Sequence, residues 1–177
     1  MKKLLLSLAV CLVLPLTAFA QEFNFHDGIK WGMSKEKVKS IEKAMNIDEG
    51  ESYLLYNAGV VYNMTAKLYY RFTSADNLAG IEYILIPGDN MDYLNDGYEK
   101  VKSGVALKYG MPANSEMNMG SLFFLTEWNL GDTNIALKML GYNYNYNIVL
   151  KYASTQYGAT LVKEEAERQK AYANKVF

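Results

Sequence analysis

The segment KLYYRFTSADNLAGIEYILI, residues 67–86, decides the fold class. Apolar side chains recur at every second position on both sides of its middle: Leu68, Tyr70 and Phe72, then Ile81, Tyr83 and Leu85. A period of two is typical of strands with one buried face. The stretch TSADNLAG, residues 73–80, has the composition of a turn. The segment therefore predicts an antiparallel hairpin.

Helices are predicted before and after this hairpin. Ser34 is a good N-cap for a helix that runs to about Met45, with Val38, Ile41 and Met45 along its apolar stripe. A second amphipathic helix is predicted over 91–109, and Gly110 and Pro112 favour its termination there. A charged helix is predicted over about 162–174 near the C-terminus.

Five further strands complete the predicted order. A short extended segment at 22–30 precedes the first helix, one strand precedes the hairpin at 53–62, and three follow the second helix at about 124–130, 135–139 and 144–152. The pentapeptide EKVKS occurs at 36–40 and again at 99–103, each time on a predicted helix followed by three strands. This pattern predicts a tandem α-βββ duplication, with halves at about 31–88 and 91–153. The expected fold class is α+β, with helices packed on antiparallel sheet in two layers.

The first twenty residues are typical of an export signal. Lys2 and Lys3 precede the apolar run 4–16, and Ala18-Phe19-Ala20 forms a cleavage motif before Gln21. The sequence therefore predicts a bacterial periplasmic or secreted protein that is cleaved after Ala20 and has no membrane span afterwards. Residues 21–177 are expected to form one domain. The single Cys, Cys11, lies inside the predicted signal, so the remaining fold has no disulfide.

The opening IKWGMS, residues 29–34, with Glu36 and Val38 after it, resembles the start of small bacterial envelope proteins. The tandem arrangement of helix and sheet looks like the architecture of β-lactamase inhibitor proteins. A single unit is similar to the small lipoprotein of the outer-membrane assembly machinery (BamE/SmpA). The resemblance implies a binding module and not an enzyme. The chain lacks the lipoprotein's anchoring Cys and the inhibitor's disulfides, so neither family's partner is carried over.

Several chemistries find no support in the sequence. Outside the predicted signal there is no Cys, and His26 is the only His, which argues against thiol nucleophiles and against Cys- or His-rich metal sites. Phosphate-binding and nucleophile-elbow motifs are missing. The balance of 18 basic and 19 acidic residues lacks the basic footprint of a nucleic-acid-binding protein. We expect no catalytic residue, no metal and no cofactor, although clustered loop carboxylates leave an enzyme as a distant alternative.

Tyrosine supplies the candidate binding residues, because all 15 lie after the predicted signal. Tyr69 is out of phase with the apolar face of its strand, so we expect its ring on the outer surface. In YNYNYN, residues 142–147, Asn143 and Asn145 are candidate binding amides, with a solvated amide ladder as the alternative. Trp31 is a candidate binding ring, with a structural clamp at the helix start as the alternative.

Two functions follow from these features. In the first, the outer sheet surface binds a protein partner of the bacterial envelope. In the alternative, a groove between helices and sheet binds a small ligand or a glycan through Tyr and Asn. A rigid patch of outward Tyr would favour the first function, and a deep apolar pocket with converging polar groups would favour the second.

Overall fold

The computed structural model describes residues 25, 28–87, 91–118, 123–142 and 145–176. The predicted signal peptide, His26 and Asn143 lie outside these residues. The elements in chain order are α1 (Lys35–Ile41), β1 (Met45–Gly50), β2 (Tyr53–Val61), β3 (Met64–Phe72), β4 (Leu78–Ile86), α2 (Met91–Tyr109), β5 (Asn114–Asn118), β6 (Phe123–Asn129), β7 (Thr133–Tyr142), β8 (Asn145–Ser154) and α3 (Gly158–Val176).

All eight described strands form one antiparallel sheet in the order β1-β2-β3-β4-β8-β7-β6-β5. The two groups of four strands join where β4 pairs with β8, with Ile84 opposite Val149. The α+β prediction is therefore right at the level of class. The finer prediction of a two-layer α-βββ repeat is wrong, because four strands follow each of α1 and α2 and a third helix forms a third layer.

The helices occupy both faces of the sheet. On α2, Gly97 faces Met64 and Ile148, whose side chains share a face with Tyr70 and Leu150. α1 packs on that same face, where the Glu42 carboxylate at its C-cap accepts a hydrogen bond from the Tyr70 hydroxyl. α3 packs on the opposite face, since Leu161 covers Gly80. We call these the helix face and the open face, because α3 covers only one end of the latter.

The sequence missed β1 and β5 for a physical reason. Every residue of β5 is exposed, as are the first five residues of β1, so neither strand shows the alternation that reveals a half-buried strand. The predicted first helix was also too long. It ends at Ile41 because Glu42 adopts an extended backbone, and its carboxylate accepts a hydrogen bond from the Ala44 amide at 2.8 Å. Met45 consequently lies on β1 and is exposed.

The two EKVKS copies occupy different places in their helices. The first spans nearly the whole of α1, whereas the second lies in the middle of α2. Val38 and Val101 are both fully buried, so the shared pattern reflects two amphipathic helices that each bury one valine.

The start of α1 is attached to the sheet by backbone pairing. The Gly32 amide donates to the Leu78 carbonyl at 3.0 Å, and the Leu78 amide donates to the Met33 carbonyl at 2.9 Å. As predicted, the Ser34 hydroxyl caps the helix by accepting from the Lys37 amide at 3.3 Å. The C-terminal helix α3 begins four residues before its predicted start at 162 and ends two residues after its predicted end at 174.

Candidate functional site

A row of side chains crosses the middle of the open face. Strand register places Lys67 beside Ile84, Ile84 beside Val149, and Val149 beside Lys138. Leu125 continues the row on β6. Ile84, Val149 and Leu125 are half-buried by their neighbours in the sheet, and no described helix covers them. The row is therefore an apolar strip interrupted by a lysine and bordered by another.

Both lysines of this row lack an ion-pair partner among the described residues, whereas Glu82 and Glu165 elsewhere on the open face are paired. Glu116 lies opposite Leu125 at the β5 end of the row and, like Glu127 on β6, forms no ion pair with a described residue. Lys151 lies 2.9 Å from the Glu82 carboxylate, and the Arg71 guanidinium lies 3.8 Å from Glu82 and from Glu165 of α3. Lys67 and Lys138 therefore carry positive charges that no described carboxylate pairs, and the row ends in a negative charge at Glu116.

An aromatic pair lies beside the strip. The ring centroids of Tyr53 and Tyr69 are 6.1 Å apart, and the Arg71 guanidinium lies 5.1 Å from the centre of the Tyr69 ring. The Tyr53 hydroxyl donates to Asp48 at 2.7 Å, and this hydrogen bond to a carboxylate raises the pKa of Tyr53. Stacking and hydrogen bonding thus hold both rings in place on the sheet surface.

The helix face contains a second candidate site, a cleft of about 280 Å³. Its floor comes from β4 and β8, one wall from the β2–β3 hairpin and Phe25, and its rim from the last turn of α2. The lining residues are Phe25, Val61, Tyr62, Tyr83, Leu85, Lys108, Leu150 and Tyr152. We call this the tyrosine cleft.

Tyrosine side chains cluster around this cleft. The phenol of Tyr83 interacts electrostatically with the phenols of Tyr62 and Tyr109. The phenol of Tyr152 interacts in the same way with those of Tyr62, Tyr83 and Tyr109. Burial raises the pKa of Tyr83 to about 12. Burial also raises the pKa of Tyr152, and a hydrogen bond with Tyr109 adds to the effect. These two phenols are therefore neutral at physiological pH and can donate hydrogen bonds.

Glu42, at the C-cap of α1, forms a hydrogen bond with another buried phenol of the helix face. Its carboxylate accepts from Tyr70, whose pKa is raised first by burial and then by that hydrogen bond. The Tyr70 ring also makes edge-on contacts with Phe25 and Tyr56, at centroid distances of 6.3 and 5.8 Å. Tyr70 is thus part of the packed core and does not line the cleft.

The structure separates the residues that the sequence singled out. Tyr69 lies half-buried on the open face, and Trp31 lies at the start of α1, where its indole N–H donates to the Thr133 hydroxyl at 2.8 Å. That bond supports the structural alternative for Trp31. Asn145 is the first residue of β8 and pairs with Tyr142, whereas Asn143 lies outside the described residues. Neither Tyr69 nor Trp31 is among the described residues that line the tyrosine cleft.

Sequence reasoning missed the tyrosine cleft. It placed Tyr83 and Tyr152 correctly on core-facing positions, but it gave Tyr62 and Lys108 no role. The only signal available was the high tyrosine content, since the lining residues come from five separate segments. Among the described residues, no three His, Cys, Asp or Glu side chains come together as metal ligands. No described helix has both the length and the apolarity needed to cross a membrane.

Comparisons with known proteins leave the family open. No protein-family model matches the chain, and no curated protein matches it. Among solved structures, the chain is similar to the crystal structure of a DUF4309 family protein (YjgB) from Bacillus subtilis subsp. subtilis str. 168. That match has a TM-score of 0.38 and 10% sequence identity, and it covers 69% of this chain and 78% of the other. At this TM-score the likeness carries no argument about fold or function.

Proposed function

We propose that this chain is an exported binding module whose open face docks a protein partner in the bacterial envelope. The observation that carries the proposal is the fixed Tyr53–Tyr69–Arg71 cluster beside the uncovered apolar strip. Tyr and Arg are enriched among the residues that dominate binding energy at protein interfaces. Export is supported by the signal-like residues 1–20.

The charges of the open face indicate what the partner presents. Lys67 at the edge of the strip and Lys138 within it have no carboxylate partner among the described residues, so a partner that places acidic groups against these two lysines and an apolar surface between them is complementary. Tyr69 and Arg71 lie close enough to contribute to the same interface. At these two lysines a basic group of the partner would meet a like charge.

The test is affinity capture from an envelope extract of the host, using the chain from Gln21 onward and mass spectrometry. We expect one saturable partner, and Tyr69→Ala should weaken its binding by about tenfold or more, as interface hot spots do. Lys138→Glu should weaken it as well, because it reverses the charge beside the strip. The melting temperature of both variants should stay close to that of the parent.

Matched controls come from the helices. Tyr93→Ala removes an exposed tyrosine on α2, and Lys100→Glu reverses an exposed charge on the same helix, so neither should affect capture. Equal capture by the parent, Tyr69→Ala and Lys138→Glu would contradict the proposal. Failure to find a saturable partner would contradict it too.

A further inference from the structure

The apolar residues that line the tyrosine cleft pack against one another and against the core. Phe25 packs its ring 5.9 Å from Tyr83 and 5.7 Å from Tyr152, measured between centroids. Its amide donates to the Ile29 carbonyl at 2.9 Å, and Ile29 is fully buried. Leu85 and Leu150 are core residues of adjacent strands. The cleft is thus built from ordered parts of the core.

The opposite wall depends on a turn with an unusual backbone. Tyr62 and Asn63 both have positive φ, 51° and 65°, as a tight hairpin turn between β2 and β3 requires. This turn places the Tyr62 ring against Gly104 of α2, where a Cβ would overlap the ring. The hairpin and α2 therefore approach closely at the cleft, and Tyr62 stays 39% exposed at its rim.

One cation lies at the rim of this apolar space. The Lys108 ammonium sits 4.9 Å from the centre of the Tyr109 ring and forms no ion pair with any described residue. Lys108 lies in the last turn of α2, where a cation also interacts favourably with the helix dipole. The helix dipole therefore explains why a lysine is favourable at this position. The same ammonium group also lies at the rim of the cleft, where it can meet a bound ligand.

The size and chemistry of the cleft together select a class of ligand. A volume of 280 Å³ corresponds to about nine water molecules at their liquid volume of roughly 30 Å³ each, so it suits a small molecule. Aromatic and aliphatic walls suit a hydrocarbon body, and the ammonium and the tyrosine hydroxyls suit an anionic acceptor. A cationic ligand would face Lys108, and a sugar would place many hydroxyls against apolar walls.

We propose that the tyrosine cleft binds a small monocarboxylate with a hydrocarbon body. The hydrocarbon lies against Val61 and the rings of Tyr62 and Tyr83, which are the apolar lining residues with accessible surface. The carboxylate accepts hydrogen bonds from the Lys108 ammonium and from tyrosine hydroxyls at the rim. This site is on the helix face, so it is separate from the protein-docking surface proposed above.

Octanoate is the first probe, with 3-phenylpropanoate as a carboxylate that has an aromatic body and octan-1-ol as a neutral analogue. Binding is measured by titration calorimetry on the chain from Gln21 onward and is located by NMR shifts of residues around the cleft. We expect saturable binding of at least one carboxylate, about tenfold tighter than that of octan-1-ol. The carboxylate that binds more tightly shows whether the hydrocarbon part of the natural ligand is a flexible chain or an aromatic ring.

Two kinds of variant test the contribution of the Lys108 charge and the contribution of the cleft volume separately. Lys108→Met keeps most of the side-chain length and should weaken carboxylate binding about tenfold, whereas Lys108→Arg should retain it. Val61→Trp fills the cleft from a half-buried rim position and should abolish binding of every probe. Lys100→Met, at an exposed position of α2, is the matched control and should bind like the parent.

Three results would overturn the proposal. One is the absence of saturable binding of either carboxylate to the parent protein. Another is equal affinity of the parent and Lys108→Met, and the third is shifts that map away from the cleft. If Val61→Trp does not fold, the two Lys108 variants still decide the outcome. None of these results depends on whether the open face binds a protein.

Discussion

At the scale of single residues, the start of α1 depends on a glycine in the left-handed region. Gly32 has φ +78°, and a Cβ there would lie 2.9 Å from the Tyr157 hydroxyl oxygen. Gly59 has a similar φ of +69° at the bulge in β2, but a Cβ there would meet nothing within 4 Å. Comparing alanine substitutions at these two glycines therefore separates the energetic cost of backbone strain from the cost of steric overlap.

We therefore expect Gly32→Ala to destabilise the fold more than Gly59→Ala. Backbone strain alone costs about 1–2 kcal/mol for an L-residue in this region, and both variants incur it. Gly32→Ala must in addition displace the Tyr157 ring. Urea unfolding followed by circular dichroism measures both free energies of unfolding. Equal losses would mean that Tyr157 moves aside without cost.

At the scale of elements, α2 approaches the sheet closely because Gly97 faces it. A Cβ at Gly97 would lie 2.9 Å from the Met64 sulfur and 3.1 Å from Cδ1 of Ile148, and both of those side chains are buried. A glycine inside a helix lowers its intrinsic stability by about 1 kcal/mol relative to alanine. The local preference of the sequence is thus overridden by packing.

We expect Gly97→Ala to lower the free energy of unfolding by about 1–3 kcal/mol, because overpacking a tight core outweighs the gain in helix propensity. Asn95→Ala, at an exposed position of the same helix, is the control and should be neutral or slightly stabilising. Chemical denaturation of the two variants beside the parent gives the comparison. A stabilised Gly97→Ala protein would show that the helix can shift away from the sheet without loss.

At the scale of the whole molecule, one sheet carries two surfaces with different properties. The helix face buries a continuous core that includes Tyr56, Tyr70, Tyr98 and Tyr152, whereas the open face keeps charged and half-buried side chains. With a single Cys in the sequence, no intramolecular disulfide supports this fold. Its stability therefore rests on the core, in which buried phenols must remain protonated.

Stability should consequently fall steeply at alkaline pH. Burial raises the pKa values of Tyr70, Tyr83 and Tyr152 above 10, and that of Tyr83 reaches about 12. Below pH 10 these phenols are protonated in both states and stability is unaffected. Above pH 10 the unfolded chain loses the protons that the native state retains, so the free energy of unfolding falls by about 1.4 kcal/mol per pH unit for each such phenol.

Urea midpoints across this pH range, together with tyrosinate absorbance, measure the effect. Between pH 10 and about 12, the free energy of unfolding of Tyr83→Phe should fall less steeply with pH than that of the parent. The difference should be about 1.4 kcal/mol per pH unit, the contribution of one buried phenol. Tyr172→Phe, at an exposed position of α3, is the matched control and should keep the parent's slope. A slope that Tyr83→Phe leaves unchanged would contradict the burial of that phenol.

Elements with strong hydrophobic periodicity could be predicted from short stretches of the chain. The alternation in 67–86 gave β3 and β4, the stripe in 91–109 gave α2 with the same bounds that the structure shows, and Ser34 gave the cap of α1. These features are predictable because their hydrophobic pattern and capping chemistry are local. The outward direction of Tyr69 follows from the same period of two.

The way in which these elements combine depends on contacts between distant parts of the chain. The edge strands β1 and β5 carry almost no buried side chains, so nothing in their sequence marks them as strands, and hence the two-layer repeat was predicted wrongly. The tyrosine cleft joins Phe25, the β2–β3 hairpin, two central strands and Lys108, which are far apart in the chain. Such a site has no local pattern, because only the pairing of β4 with β8 and the packing of α2 bring its parts together.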